Sequence, residues 1–560
     1  MIVCRLLPGV VALALGWVPQ SVLAQQAAPP AQQTAPRSMV AAANPLAVDA
    51  GLEALRKGGS AVDAAIAVQM VLGVVEPQSS GLGGGGFLLH YDAGSRAITV
   101  YDGRETAPAG ATPSMFLGGD GKPLPFREAV VSGISVGVPG AVALLEMAHK
   151  EHGKRPWPEL FQPAIGIARE GFAVPPRLAA WLGIIRSFRN ELAARAIYFN
   201  EDGSPKKQGE RVVNPALADT MQLIAEQGTK AFYEGGLAEE MVKRVHEHAR
   251  PGTLSLADLA GYRAIKREAV CGPYRVWLIC GMPPPSSGGV AILQALALLE
   301  PFQLAQDQPN DLRALHLMTE ASRLVFADRA RYLADPAFVT VPVSVLLSPA
   351  YIAERRKLIS PDKSMGKVGP GNAGYIERGT SHMTIVDRWG NAVAFTTTIE
   401  APFGAEIMVG GFILNNELTD FSALPEIDGR PVANRIAPGK RPRSSMSPTF
   451  VLDKDRRLVA AVGSAGGQRI IGDTLQALIG MLDWNLSAQA ALDLPRVANV
   501  DGVTEVEAVP ALAPQAERLR ALGHEVQVRR HEGGLTAIRR LGGGWQGAAD
   551  PRRDGAAKGD

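Results

Sequence analysis

Apolar and polar residues alternate from Ser381 to Asp387 and again from Ala392 to Ile399, on either side of Arg388-Trp389-Gly390-Asn391. A period of two on both sides of a Gly/Asn turn predicts a β-hairpin. Thr380 stands at its upstream end. Downstream the pattern predicts strands at 407–414, 448–453 and 458–463, with helices near 469–483, 487–493 and 513–522. Upstream of Thr380 the spacing is mostly that of helices. Asn44-Pro45 caps and opens a helix that runs through Lys57 and stops at Gly58-Gly59, and Ser60 with Asp63 opens a second toward Val75. Helical spacing or capping signals recur at 139–152, 158–171, 216–227, 237–247, 289–300 and 311–333, while Phe87 to Asp92 and Ala97 to Tyr101 read as a strand pair. Strands with helices gathered around them predict a layered α/β domain. No repeat of 20–50 residues is present, so a solenoid is disfavoured. Length alone suggests three or four domains.

The first 24 residues carry Arg5, an apolar run from Leu6 to Val18 and small residues at Val22-Leu23-Ala24. This is the layout of a cleavable signal peptide, so the protein is expected to be exported, to the periplasm or beyond the cell. Residues 25–38, rich in Gln, Ala, Pro and Thr, read as a disordered linker, with order beginning near Met39. The 57 basic and 55 acidic residues nearly cancel, which leaves no global field for nucleic acid or a membrane surface and points to small-molecule partners. Two cysteines, Cys271 and Cys280, follow the leader. An oxidising compartment permits a disulfide, but a turn at Gly272-Pro273 would not set them opposite each other. Neither has zinc-site spacing, and the nine histidines form no recognisable ligand cluster, so no metal or other cofactor is expected. Gly83 to Gly86 lacks the Lys-Ser/Thr ending of a P-loop and reads as close backbone packing.

Thr380 becomes chemically interesting if the Gly379-Thr380 bond is cut. A free α-amine on the same residue, with a pKa of about 8, would then serve as base for the hydroxyl. Glycine at 379 keeps the carbonyl uncrowded. Downstream lie Thr396-Thr397-Thr398-Ile399-Glu400, Gly411 to Phe421 with Asn415-Asn416-Glu417-Leu418-Thr419-Asp420, Arg441-Pro442-Arg443-Ser444-Ser445-Met446-Ser447-Pro448, and Gly463-Ser464-Ala465-Gly466-Gly467. Upstream lie Ser79 to Phe87, Asp102-Gly103-Arg104-Glu105-Thr106-Ala107-Pro108, Val138-Pro139-Gly140 and Met282 to Gly289. In order and spacing, from about Met39 to Asp554, these resemble the γ-glutamyltransferase (glutathione hydrolase) family of self-cleaving N-terminal-nucleophile enzymes.

The resemblance implies one interlocked αββα sandwich shared by a large subunit, about 25–379, and a small catalytic subunit, 380–560, that form a heterodimer after self-cleavage. It implies Thr380 as nucleophile of both processing and catalysis, and selects Thr398 from the threonine triplet as its hydroxyl partner. Adjacent N–H groups of Gly466 and Gly467 suit an oxyanion hole. Arg104, Ser444 and Ser445 are the donors expected to hold a γ-glutamyl α-carboxylate, with Asp420, Glu400 and Glu417 receiving its α-ammonium. Many relatives carry Asn at 400 and others Gln at 417, and three carboxylates together are expected to raise the pKa of one. The implied substrates are glutathione and other γ-glutamyl compounds, with water or an amino acid or dipeptide as acceptor. Alternatives are a related acylase of cephalosporin or glutaryl substrates, a poly-γ-glutamate transferase, or an unprocessed binding protein.

Overall fold

The Thr380 hairpin lies at the centre of a seven-stranded antiparallel sheet. In the computed structural model, which describes residues 33–366, 368, 379–500 and 502–560, Gly379–Val386 pairs on one side with Met39–Ala42 and on the other with Ala392–Glu400. Beyond these lie Ala556–Gly559 at one edge, and Gly85–Tyr91, Ile98–Gly103 and Ile265–Arg267 toward the other. The second seven-stranded sheet, also antiparallel, runs Gln33–Ala35, Gly544–Ala549, Thr536–Leu541, Leu458–Gly463, Thr449–Leu452, Trp277–Gly281 and Val270–Tyr274. Both sheets contain strands from before and after Thr380, and such strands are paired with one another in each. Chain on the two sides of Gly379 is therefore interlocked by backbone hydrogen bonds rather than merely packed together.

The sheets face each other across a core that includes Met39, Phe87, Leu89, Ala394, Phe450, Ala461, Ile470 and Ile538. The outer face of the hairpin's sheet is covered by Pro45–Arg56, Ala61–Val75 and Ala141–His152, and that of the second sheet by Gly288–Leu299, Arg469–Leu482 and Ala488–Asp493. Ala61–Val75 is apolar nearly all round because it is buried nearly all round, and the Ser60–Asp63 capping box fixes its start. The expected αββα layering is the observed one. Length had suggested three or four domains; instead the described residues form one interlocked unit, because neither sheet is built from a continuous stretch of chain.

Four expectations change. Order begins before Met39, since Gln33–Ala35 forms an edge strand with Trp545–Gly547; the backbone needs no large side chains to pair. The expected leader, 1–24, and residues 25–32 of the linker lie outside the described residues. Cys271 and Cys280 are disulfide-bonded, 4.1 Å apart at Cα. The turn falls not at Gly272-Pro273 but between Tyr274 and Trp277, with Arg275 at φ 53°, and this register sets the two cysteines opposite each other. The segment 407–414 is a tight hairpin, Met408–Val409 against Phe412–Ile413, turning through Gly410 and Gly411 at positive φ. The helix expected at 158–171 splits into a 3-10 turn, Trp157–Phe161, and Gln162–Glu170.

Gly83 to Gly86 is a packing device, as expected. A Cβ at Gly83 would strike the Ile413 carbonyl, at Gly84 the Thr398 carbonyl, and at Gly86 the Thr396 carbonyl at 2.6 Å. The run thus lets the chain come close to the strand that carries Thr398. Gly84→Ala should destabilise the protein by about 1–3 kcal/mol, the range for forcing atoms into a filled interior; a denaturant midpoint within error of wild type would contradict this.

Candidate functional site

Gly379 and Thr380 are joined by an intact peptide bond, and two hydroxyls converge on its carbonyl. Thr380 Oγ1 donates to Gly379 O at 2.8 Å and Thr398 Oγ1 donates to the same oxygen at 2.7 Å, with 3.4 Å between the two hydroxyl oxygens. The register explains the meeting. Thr380 stands opposite Thr398, but Gly379 pairs with Glu400, so Ile399 is an extra residue in the partner strand opposite the Gly379–Thr380 bond. The Glu400 N–H donates to Thr398 Oγ1 at 2.8 Å, which occupies an acceptor position and leaves the hydroxyl hydrogen for Gly379 O. Thr396 is engaged elsewhere, bonded to His382 Nδ1 at 2.8 Å. The geometry therefore brings Thr398, not Thr396, to Thr380.

The strand that carries Thr380 is braced by side chains from elsewhere in the fold. Arg553 Nη1 donates to Thr380 O at 2.8 Å, and Ser381 Oγ donates to Glu76 Oε2 at 3.0 Å. His382 packs against Gly463, and burial drops its pKa to about 3, so it is a neutral ring at physiological pH. Gly466 and Gly467 lie between Leu458–Gly463 and Arg469–Leu482 with φ of 123° and 62°, angles that a side chain would strain. Gly467 lines the cleft beside Thr380, close to the positive end of a 14-residue helix.

One cleft is lined by Thr380, Thr398, Arg104, Glu400, Glu417, Asp420, Ser444, Ser445 and Gly467, so all but two of the residues expected in the site meet there. The exceptions, Gly379 and Gly466, are the chain neighbours of Thr380 and Gly467. Met446 and Ile470 add apolar walls that spacing did not reveal. The cleft holds about 270 Å³ of space between its walls, part of it open to solvent.

Arg104 is fully buried and does not lie at the surface beside Glu105. Its Nη1 bonds Glu417 Oε1, its Nη2 bonds Asp420 Oδ2 at 2.5 Å, and its Nε donates to Pro442 O at 3.1 Å. The donor expected for a carboxylate and the acceptors expected for an ammonium are thus already in contact. Glu105 lies 3.8 Å from the same guanidinium, and burial, reinforced by the charge of Glu417, pushes its carboxyl well above the ordinary range. Glu400 accepts from Asn416 Nδ2 at 2.5 Å. Ser444 Oγ accepts the Met446 N–H at 3.1 Å and Ser445 Oγ accepts Arg329 Nη2 at 2.8 Å, which leaves each hydroxyl hydrogen to be donated.

Folding also gathers His316, Glu320 and His524, which sequence spacing kept apart, with ligand atoms within 4.8 Å of one another. Arg323 bonds both Glu320 (3.2 Å) and His524 (3.3 Å), while Ser364 and the Met365 N–H take the same carboxylate. A guanidinium inside the cluster opposes a metal cation there. Among the described residues, no helix is long and apolar enough to cross a membrane.

The family model described as Gamma-glutamyltranspeptidase matches residues 47–560. A protein named glutathione hydrolase proenzyme from Bacillus subtilis (strain 168) is 39% identical over 545 residues, covering 93% of this chain and 91% of that protein. Its namesake from Escherichia coli (strain K12) is 38% identical over 534 residues, 92% and 91% of the two. Among solved structures, cephalosporin acylase from Bacillus halodurans has a TM-score of 0.85 at 29% identity, covering 98% of this chain and 99% of that one. From its interlocked sheets, its Thr380 hairpin and this near full-length match, the chain belongs to the gamma-glutamyltranspeptidase family of N-terminal-nucleophile hydrolases.

Proposed function

We propose that this protein is a self-processing γ-glutamyl hydrolase and transferase with Thr380 as nucleophile. The observation that carries the proposal is the convergence of the Thr380 and Thr398 hydroxyls on the carbonyl of Gly379. In processing, Thr380 Oγ1 attacks the Gly379 carbonyl carbon while Thr398 donates to the oxygen that takes up negative charge. The C–N bond breaks as the nitrogen gains a proton, leaving an ester between Gly379 and Thr380. Water opens the ester. The products are a large subunit, about 25–379, ending in the Gly379 carboxylate, and a small subunit, 380–560, beginning with a free Thr380 amine; the two form a heterodimer.

That amine is then the base for Thr380 Oγ1. The hydroxyl attacks the γ-carbonyl of glutathione or a related donor, the oxyanion is held by the N–H groups at Gly466 and Gly467, and the departing amine takes the proton. The γ-glutamyl ester on Thr380 is released by water, giving glutamate, or by the amine of an amino acid or dipeptide, giving a new γ-glutamyl compound. Ser444, Ser445 and Arg104 hold the α-carboxylate. Asp420, with Glu417 and Glu400, receives the α-ammonium. The predominance of carboxylates (Glu400, Glu417, Asp420) over the one guanidinium among the cleft-lining residues, that of Arg104, favours a donor that brings a positive charge. Export to the periplasm or medium completes the reading, in line with the leader-like first 24 residues.

A second reading, an acylase for glutaryl-type side chains, is favoured by the likeness to the cephalosporin acylase structure. A glutaryl group brings a carboxylate without an ammonium, and would set a negative charge against Asp420 and Glu417 with nothing in return. L-γ-Glutamyl-p-nitroanilide should therefore be cleaved at least about tenfold more efficiently than glutaryl-p-nitroanilide, and the reverse order would establish the acylase reading. Asp420→Ala should lower kcat/KM for the γ-glutamyl anilide by about thirtyfold or more, the loss of 2 kcal/mol or more that follows truncating one member of a buried charge pair. Thr398→Val, which keeps shape and removes the donor, should slow appearance of the cleaved subunits on a denaturing gel by about a hundredfold or more; processing at the wild-type rate would remove Thr398 from the mechanism.

A further inference from the structure

The charged end of the cleft has two walls, the turn Glu417–Asp420 and the stretch leading to Ser444-Ser445, and the chain between them makes an exposed excursion through Glu426–Pro431 before returning. Besides Arg104, a second buried side chain joins the walls. Asn434 Nδ2 donates to the carbonyl of Asp420 at 2.7 Å, and Asn434 Oδ1 accepts the N–H of Arg443 at 3.0 Å. One partner is a backbone acceptor and the other a backbone donor, so only a neutral amide of this length satisfies both. An aspartate would set a carboxylate oxygen against the Asp420 carbonyl.

The turn bearing Asn434 is itself held. Lys440, buried between the rings of Phe338 and Phe421, donates from Nζ to Ala433 O at 2.6 Å and to Arg435 O at 2.9 Å, the carbonyls on either side of Asn434. The Lys440 carbonyl in turn accepts the N–H of Ala107 at 2.9 Å, three residues beyond Arg104. Lys440 thus fastens the turn to the same segment that supplies the guanidinium. Neither Asn434 nor Lys440 lines the cleft.

We propose that Asn434 is a positioning residue, seated by Lys440, that fixes Asp420 relative to Ser444 and Ser445 and thereby sets the preference for acyl groups bearing an α-ammonium. The proposal rests on the γ-glutamyl reading of the same cleft. A residue that served stability alone would weaken turnover of all acyl donors together. Asn434 acts on the ammonium-binding wall, so its loss discriminates between donors.

The test measures kcat and KM of the cleaved enzyme with L-γ-glutamyl-p-nitroanilide and glutaryl-p-nitroanilide for wild type, Asn434→Asp and Lys440→Met, after checking that each is processed and folded by its thermal midpoint. Asn434→Asp is expected to lower the ratio of kcat/KM for the γ-glutamyl over the glutaryl donor by tenfold or more, chiefly through a higher KM for the γ-glutamyl donor. Lys440→Met should move it the same way by less, and decides the question alone if Asn434→Asp does not fold. If glutaryl turnover is too slow to measure, a tenfold rise in γ-glutamyl KM with kcat within threefold is the supporting result. A ratio or KM within twofold of wild type, or equal losses for both donors, overturns the proposal. Wild-type enzyme inert toward the γ-glutamyl anilide overturns the functional reading beneath it, a result visible before any variant is measured.

Discussion

The rest of the site depends on the grip that two hydroxyls hold on one carbonyl. Gly379 O accepts from Thr380 and Thr398 because a one-residue slip in strand pairing turns Thr398 toward the peptide bond just where the strand of Thr380 begins. The neighbouring strands hold that slip in place. Gly83 to Gly86 bring the chain against the strand of Thr398, Met39–Ala42 holds the other edge of the Thr380 strand, and Arg553 secures the carbonyl of Thr380 itself. Both sheets mix strands from before and after Gly379, so breaking the bond there, as proposed, would leave these backbone ladders in place.

The charged half of the cleft follows from a different constraint, the high cost of burying ions alone. Arg104 is enclosed together with Glu417 and Asp420, and beneath them Glu105 is driven toward its neutral form. The guanidinium bonds Glu417 and Asp420 directly. On the proposed function, a γ-glutamyl end, carrying both charges, would enter that set by exchanging partners, its carboxylate sharing Arg104 with the two serine hydroxyls and its ammonium taking up the carboxylates. A ligand with a single charge leaves one side of the exchange unmet.

The legible parts of this chain were those decided locally. Asn44-Pro45, Ser60 with Asp63, and the alternation around Gly390 fix helix starts and a hairpin within a few residues, and the structure agrees closely there. The strands at one side of each sheet were not legible. Gln33–Ala35, Met39–Ala42 and Ala556–Gly559 are short and rich in Ala, and become strands through partners hundreds of residues away. The Cys271–Cys280 pairing was missed because Gly272-Pro273 is the obvious turn by composition, whereas Arg275 takes the positive φ. In the cleft, residue types and motif order named the members, but not that Arg104 would be bound to Glu417 and Asp420, nor that Asn416, Arg329 and Arg553 would support Glu400, Ser445 and Thr380. Such contacts depend on how the two sheets meet, which no local pattern encodes.

The central claim is that Thr380 cuts the chain at its own amino side, and the intact mass and N-terminal sequence of purified protein, wild type beside Thr380→Ala, test it most directly. The account predicts two wild-type polypeptides, the smaller beginning Thr380-Ser381-His382, and a single uncut chain for the variant. An uncut wild-type chain, or a variant cut as readily at the same bond, would contradict it.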